Sequence, residues 1–91
     1  SMISGVTSLI AASAAEEGVG TDYVGVIQAL LKDGRVPINA RRREFRDTAL
    51  WLACCWGHTE RARVLLLEGG ADHTVPDSEG VTPLTAARQN G

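Results

Sequence analysis

The chain has 91 residues, 44% of them hydrophobic and 22% charged, with a formal net charge of −2. That length supports one core and excludes two, and the charge gives no long-range attraction to nucleic acid or to an anionic membrane. No apolar run reaches the roughly 20 residues that span a bilayer, and the opening Ser1, Met2, Ile3 and Ser4 lack the basic-then-apolar pattern of a secretory signal. Aromatic residues make up 4%, so Ala, Leu, Gly and Val must fill the interior. Such a mixture suits close helix packing better than a β-sandwich. Ser1 and Met2 read as a cloning remnant, with the natural start expected upstream.

In chain order, the first predicted helix lies within residues 5–13, GVTSLIAAS, with Thr7 in the capping place. An insertion is expected around residues 16–21, EEGVGT. The second helix runs from Tyr23 to Lys32 with Thr21 as its cap, and Ile27, Leu30 and Leu31 face inward. Gly34 supplies the left-handed residue that ends it. After an arginine-rich loop, Thr48 caps a third helix whose Leu50 and Ala53 form a narrow apolar stripe, and Gly57 stops it. In the fourth helix Ala62, Leu65 and Leu66 fall at i, i+3 and i+4, and Gly69 or Gly70 terminates it. Thr82 caps the last helix, Pro83 takes the first helical position where its missing N–H costs nothing, and Leu84 and Ala87 repeat the stripe.

Three of these segments line up: residues 80–91 (GVTPLTAARQNG), residues 47–58 (DTALWLACCWGH) and, more weakly, residues 5–13. The first two units each end in an apolar pair and a glycine, at residues 30–34 and 65–70. Thr48 and Thr82 are 34 residues apart and Thr7 and Thr48 are 41 apart, the surplus falling where loops are expected. This pattern resembles the ankyrin repeat, a unit of about 33 residues marked by Thr-Pro-Leu-His-x-Ala. The resemblance implies an all-α solenoid of helix-turn-helix units joined by hairpin loops. Residues 1–91 would form one domain, with a divergent repeat over 1–40, a repeat over 41–74 and a partial repeat over 75–91, expected to be a fragment of a larger protein. Trp51 and Thr85 stand where the family has histidine, which puts that histidine's inter-repeat hydrogen bonds in doubt.

Proteins of this kind bind ligands on the hairpin loops and on the concave face of the first helices. Carried over position by position, the resemblance implies a first finger over residues 39–48, with Arg41, Arg43, Glu44, Phe45 and Asp47 among its contacts. A second finger over residues 72–82 contributes Ser78, Glu79 and Val81, and the helix faces contribute Cys55, Trp56 and Gln89. Trp56 is the leading candidate, because exposed tryptophan is uncommon on monomers and enriched at interface hot spots. Trp51 is expected to fill space between repeats. Four arginines in the first finger suit an acidic peptide segment or a phosphate, while Asp77 and Glu79 in the second make the face bipolar and able to orient a partner.

Chemistry finds little support. Cys54, Cys55 and His58 lie close in sequence, but a structural zinc site wants four ligands and His73 belongs to another loop. Cys54 is expected to be buried and Cys55 exposed. Residues 17–21 lack the lysine and preceding strand of a phosphate-binding loop. No metal, cofactor or catalytic residue is expected. The function that follows is a protein–protein interaction module for a partner protein or peptide, with no nucleic acid or membrane partner. Two alternatives are a structural segment that self-associates through an uncapped C-terminal end, and the substrate-recruiting part of an enzyme such as a ubiquitin ligase. Two adjacent cysteines and no disulfide framework lead us to expect an intracellular setting, cytoplasmic or nuclear.

Overall fold

The computed structural model describes residues 2–16 and 20–90; Glu17, Gly18 and Val19 of the expected insertion lie outside them. Helices α1 (Met2–Ala14), α2 (Tyr23–Asp33), α3 (Ala49–Cys55), α4 (Thr59–Leu67) and α5 (Pro83–Asn90) follow one another, with no strand among the described residues. The odd-numbered helices form one row, α1 against α3 and α3 against α5, and the even-numbered ones a second, α2 against α4. The rows are joined where α1 packs on α2 and α3 on α4. An all-α, two-row stack is what the resemblance implied.

Local chemistry explains most boundaries. The Thr48 hydroxyl accepts the Trp51 N–H at 3.1 Å, so α3 begins where expected. Thr82 does the same for Thr85 at 3.3 Å, and Pro83 opens α5. Gly34 and Gly57, at φ of 75° and 73°, supply left-handed turns after α2 and α3. The pair after α4 divides the work. Gly70 takes the positive φ of 64°, whereas a Cβ on Gly69 would come within 2.9 Å of the Ile38 side chain.

Two caps differ from expectation. Helix α1 runs straight through Thr7, whose side chain is exposed. For α2 the cap is Asp22 rather than Thr21: its carboxylate accepts the Gly25 N–H at 2.9 Å. A carboxylate is a strong acceptor at a helix start and also meets the positive end of the helix dipole.

The core joins Leu9 and Ala12 of α1, Ile27 of α2, Ala49, Leu50 and Ala53 of α3, and Val64 and Leu65 of α4. Leu30 and Leu31 pack against it, as expected. In α4 the inward positions are Arg61, Val64 and Leu65, not the predicted Ala62, Leu65 and Leu66; Leu66 is exposed. Leu65 is fully buried, as its inward place in the helical pattern implied, in a core that Leu30 and Leu31 of α2 and Val36 and Ile38 pack against. In α5 the inward residues are Pro83 and Ala86, which face α3. Leu84 remains 58% exposed, while its counterpart Leu50 is 1% exposed under α4.

Arg61 explains the rotation of α4. It is 2% exposed, and its guanidinium lies 4.4 Å from the centre of the Tyr23 ring. One nitrogen donates to the carbonyls of Ala12, at 3.2 Å, and of Ala15. These are orphan carbonyls at the C-terminal end of α1, where the helix dipole favours a cation. Beneath them the Ser13 hydroxyl donates to the Leu9 carbonyl at 2.7 Å, which satisfies that buried polar group. One side chain thus ties α4 to both helices of the preceding unit.

Arg61→Ala is expected to lower unfolding free energy by roughly 2–4 kcal/mol, by orphaning buried carbonyls and opening a void. Urea unfolding followed by far-UV circular dichroism measures it. A loss under about 0.5 kcal/mol, the level of an ordinary surface substitution, would contradict the buried placement.

Candidate functional site

Hydrogen bonds between units, three from finger to finger and one from α3, latch the two predicted fingers side by side among the described residues. The Asn39 side-chain oxygen accepts the Asp72 N–H at 2.7 Å, and Arg41 donates to the Pro76 carbonyl at 2.7 Å. The Phe45 carbonyl accepts the Ser78 N–H at 2.9 Å. The Trp51 indole N–H donates to the Val81 carbonyl at 2.8 Å. Trp51 therefore supplies an inter-repeat hydrogen bond at the position where the family's histidine is missing. The expectation that it fills space between units holds.

Within the first finger, Arg42 and Asp47 form a two-pronged ion pair at 2.5 and 2.6 Å. Asp47 is 2% exposed, and this bond keeps the Arg42 guanidinium above its ordinary pKa against the opposing effect of burial. Arg42 also lies over the Phe45 ring, 4.7 Å from its centre. The backbone closes with Arg46 N–H on the Arg42 carbonyl, and Arg46 takes a left-handed φ of 60°. The second finger is closed by Asp77, whose carboxylate accepts the N–H groups of Glu79 and Val81, both at 2.9 Å. Gly80 makes the turn at φ 81°.

Between the fingers and α3 lies an open groove of about 640 Å³. Phe45 and Trp56 form its walls, 54% and 62% exposed, and Leu52, Trp51 and Cys55 lie along its base. Ser78, Glu79 and Asp77 line the second-finger side, and Ala14, Glu16 and His58 the end nearest α1. Of the residues selected from sequence, this groove gathers Phe45, Asp47, Cys55, Trp56, Ser78 and Glu79.

The others are placed elsewhere. Arg41, Arg43 and Glu44 border a second concavity of about 750 Å³, facing Val6, Thr7 and Ile10 of α1. Arg41 is occupied as a brace, reaching the Arg46 carbonyl at 2.8 Å as well as Pro76. Asp47, although it lines the groove, has its carboxylate held by Arg42, because a buried carboxylate requires such compensation. Val81 is half-buried and its carbonyl holds Trp51. Gln89 is exposed on α5, away from both concavities. The groove's use of Glu16 and His58 was missed; both precede or follow a helix end, and only the stacking of α1 on α3 brings them together.

Cys54 and Cys55 are both half-buried, so Cys54 is less enclosed, and Cys55 more so, than expected. Burial pushes both thiols up; at Cys54 the neighbouring Cys55 adds to it, and at Cys55 the nearby Asp47 and Asp77 carboxylates do. A raised thiol is a poor nucleophile at neutral pH. Among the described residues no three His, Cys, Asp or Glu side chains gather where they could hold a metal ion. No helix of the described residues is long and apolar enough to cross a membrane.

A protein-family model described as ankyrin repeats, in three copies, matches residues 9–91.

At pH 7 both cysteines are expected to alkylate more slowly than a cysteine in an unstructured peptide, with rates still rising above the usual thiol pKa. Mass spectrometry of iodoacetamide-treated protein follows this. Peptide-like rates at neutral pH at either residue would contradict the burial described.

Proposed function

The chain belongs to the ankyrin-repeat family, and on that premise we propose that it binds a partner protein or peptide across the two fingers and the groove between them. Ankyrin repeats are generally protein–protein interaction modules rather than catalysts. The observation that carries the reading for this chain is Trp56, a large aromatic side chain 62% exposed on the wall of a groove. Tryptophan so placed supplies much contact area at small cost in side-chain entropy, as interface hot spots do. The fingers beside it are held by hydrogen bonds made without a partner, so binding need not order them. An extended segment suits the groove. Its charge would be oriented by Arg43 and Arg46 on the first finger and by Asp77 and Glu79 on the second.

A second reading has its own support. Leu67 on α4 and Leu84 on α5 are exposed apolar side chains, each suited to covering by another apolar face. Self-association there predicts a sedimentation coefficient that rises with concentration and returns to the monomer value in Leu67→Lys/Leu84→Lys. A concentration-independent monomer removes this reading and leaves the groove untouched.

For the groove, selection from a displayed library of random peptides is the direct test. Wild-type protein is expected to enrich a family of sequences, and Trp56→Ala to weaken the best of them by about 30-fold, the ~2 kcal/mol of an interface hot spot. Trp56→Ala should melt as the wild type does. Enrichment that survives the substitution undiminished, or no enrichment at all, rejects the groove as the binding site.

A further inference from the structure

The groove combines aromatic walls with carboxylates that, among the described residues, no arginine or lysine pairs. Arg42 neutralises Asp47. Three other carboxylates line the same space, Glu16, Asp77 and Glu79, and among the described residues no arginine or lysine forms an ion pair with any of them. His58 is the remaining titratable side chain of the lining besides Cys55. The Asp77 carboxylate is fixed by the backbone N–H groups it accepts in the finger turn, so its position is set before any partner arrives. Its field is felt within the groove, where Asp77 and Asp47 reinforce burial in raising the Cys55 thiol.

Each class of occupant meets this lining differently. An acidic segment would meet three carboxylates of its own sign. A wholly apolar one would strip water from those carboxylates and return nothing to them. A basic side chain satisfies both halves of the site: its alkyl stem covers an aromatic face, and its cationic head meets the ring quadrupole and the carboxylates together. Arg43 and Arg46, the finger arginines not engaged as braces, lie outside the groove lining and do not offset it at short range.

Resting on the partner-binding reading above, we propose that the groove takes a basic segment of the partner, with an arginine or lysine side chain laid against the Trp56 indole and its charge held by Asp77 and Glu79.

The peptide selection described above distinguishes this from the broader reading, since capture tests one and the composition of what is captured tests the other. Peptides enriched on wild-type protein and lost on Trp56→Ala are expected to share an arginine or lysine. Replacing that residue by glutamine should weaken binding about fivefold or more. Glu16→Gln/Glu79→Gln, two exposed side chains with no part in the finger turns, should weaken the same peptide to a similar degree without changing the melting temperature. Added salt should weaken it too. Trp56-dependent peptides that are acidic or apolar, or basic peptides indifferent to Glu16→Gln/Glu79→Gln, overturn the proposal while partner binding stands. If nothing is enriched, both fall.

Discussion

Helices of seven and nine residues, the lengths of α3 and α4, are too short to be stable alone in water, and one pair of them has no inside. Everything else in this structure depends on a second pair lying against the first, so that Leu50, Ala53 and Leu65 are covered by α1 and α2 as well as by each other. Burial is therefore a property of the stack and not of the unit. The contrast between Leu50 and Leu84 shows this directly. They hold equivalent places in successive units, yet one is enclosed by a following helix and the other is open to solvent.

Stacking also builds the candidate site. Loops of this length would wander if each were attached only to its own helices, but neighbouring fingers exchange hydrogen bonds along their length, from Asn39 at the base to Val81 beside Trp51. Arginines that look like a solvent-facing basic cluster are divided by that arrangement. Arg41, still exposed, braces one finger to the next, while Arg42 compensates a buried carboxylate, so the charge of Arg42 is neutralised within the finger. The groove beside it is acidic and aromatic. The sequence marks Asp77 and Glu79 as the acidic half of a bipolar face, and the stack adds Glu16 to them.

Arg61 illustrates the cost of thin units. The last carbonyls of a helix have no partner within it, and Ala12 lies in the last turn of α1 with Ala15 just past its end. A guanidinium from the next unit reaches back to them across the Tyr23 ring. Its desolvation is expensive unless such partners are in place, which makes this contact a lock between units rather than an interchangeable piece of packing.

What the amino-acid sequence determined by itself was whatever is settled within a few residues or by the repeat period. The caps at Thr48 and Thr82, Pro83 at a helix start, the glycine turns, and Ile27, Leu50 and Ala53 as core all follow from local backbone chemistry and from helical spacing. The resemblance carried Phe45, Cys55, Trp56, Ser78 and Glu79 to one face, and one groove gathers them. Tertiary structure decided the rest: that α4 turns Arg61 inward in place of Leu66, that Asp47 is an anchor, that Arg41 is a brace, and that Glu16 joins the groove. Each of those outcomes depends on a partner many residues away, such as the Ala12 carbonyl for Arg61 or the Pro76 carbonyl for Arg41. Sequence periodicity counts a charged side chain as solvent-facing, and only the position of that distant partner can reverse it.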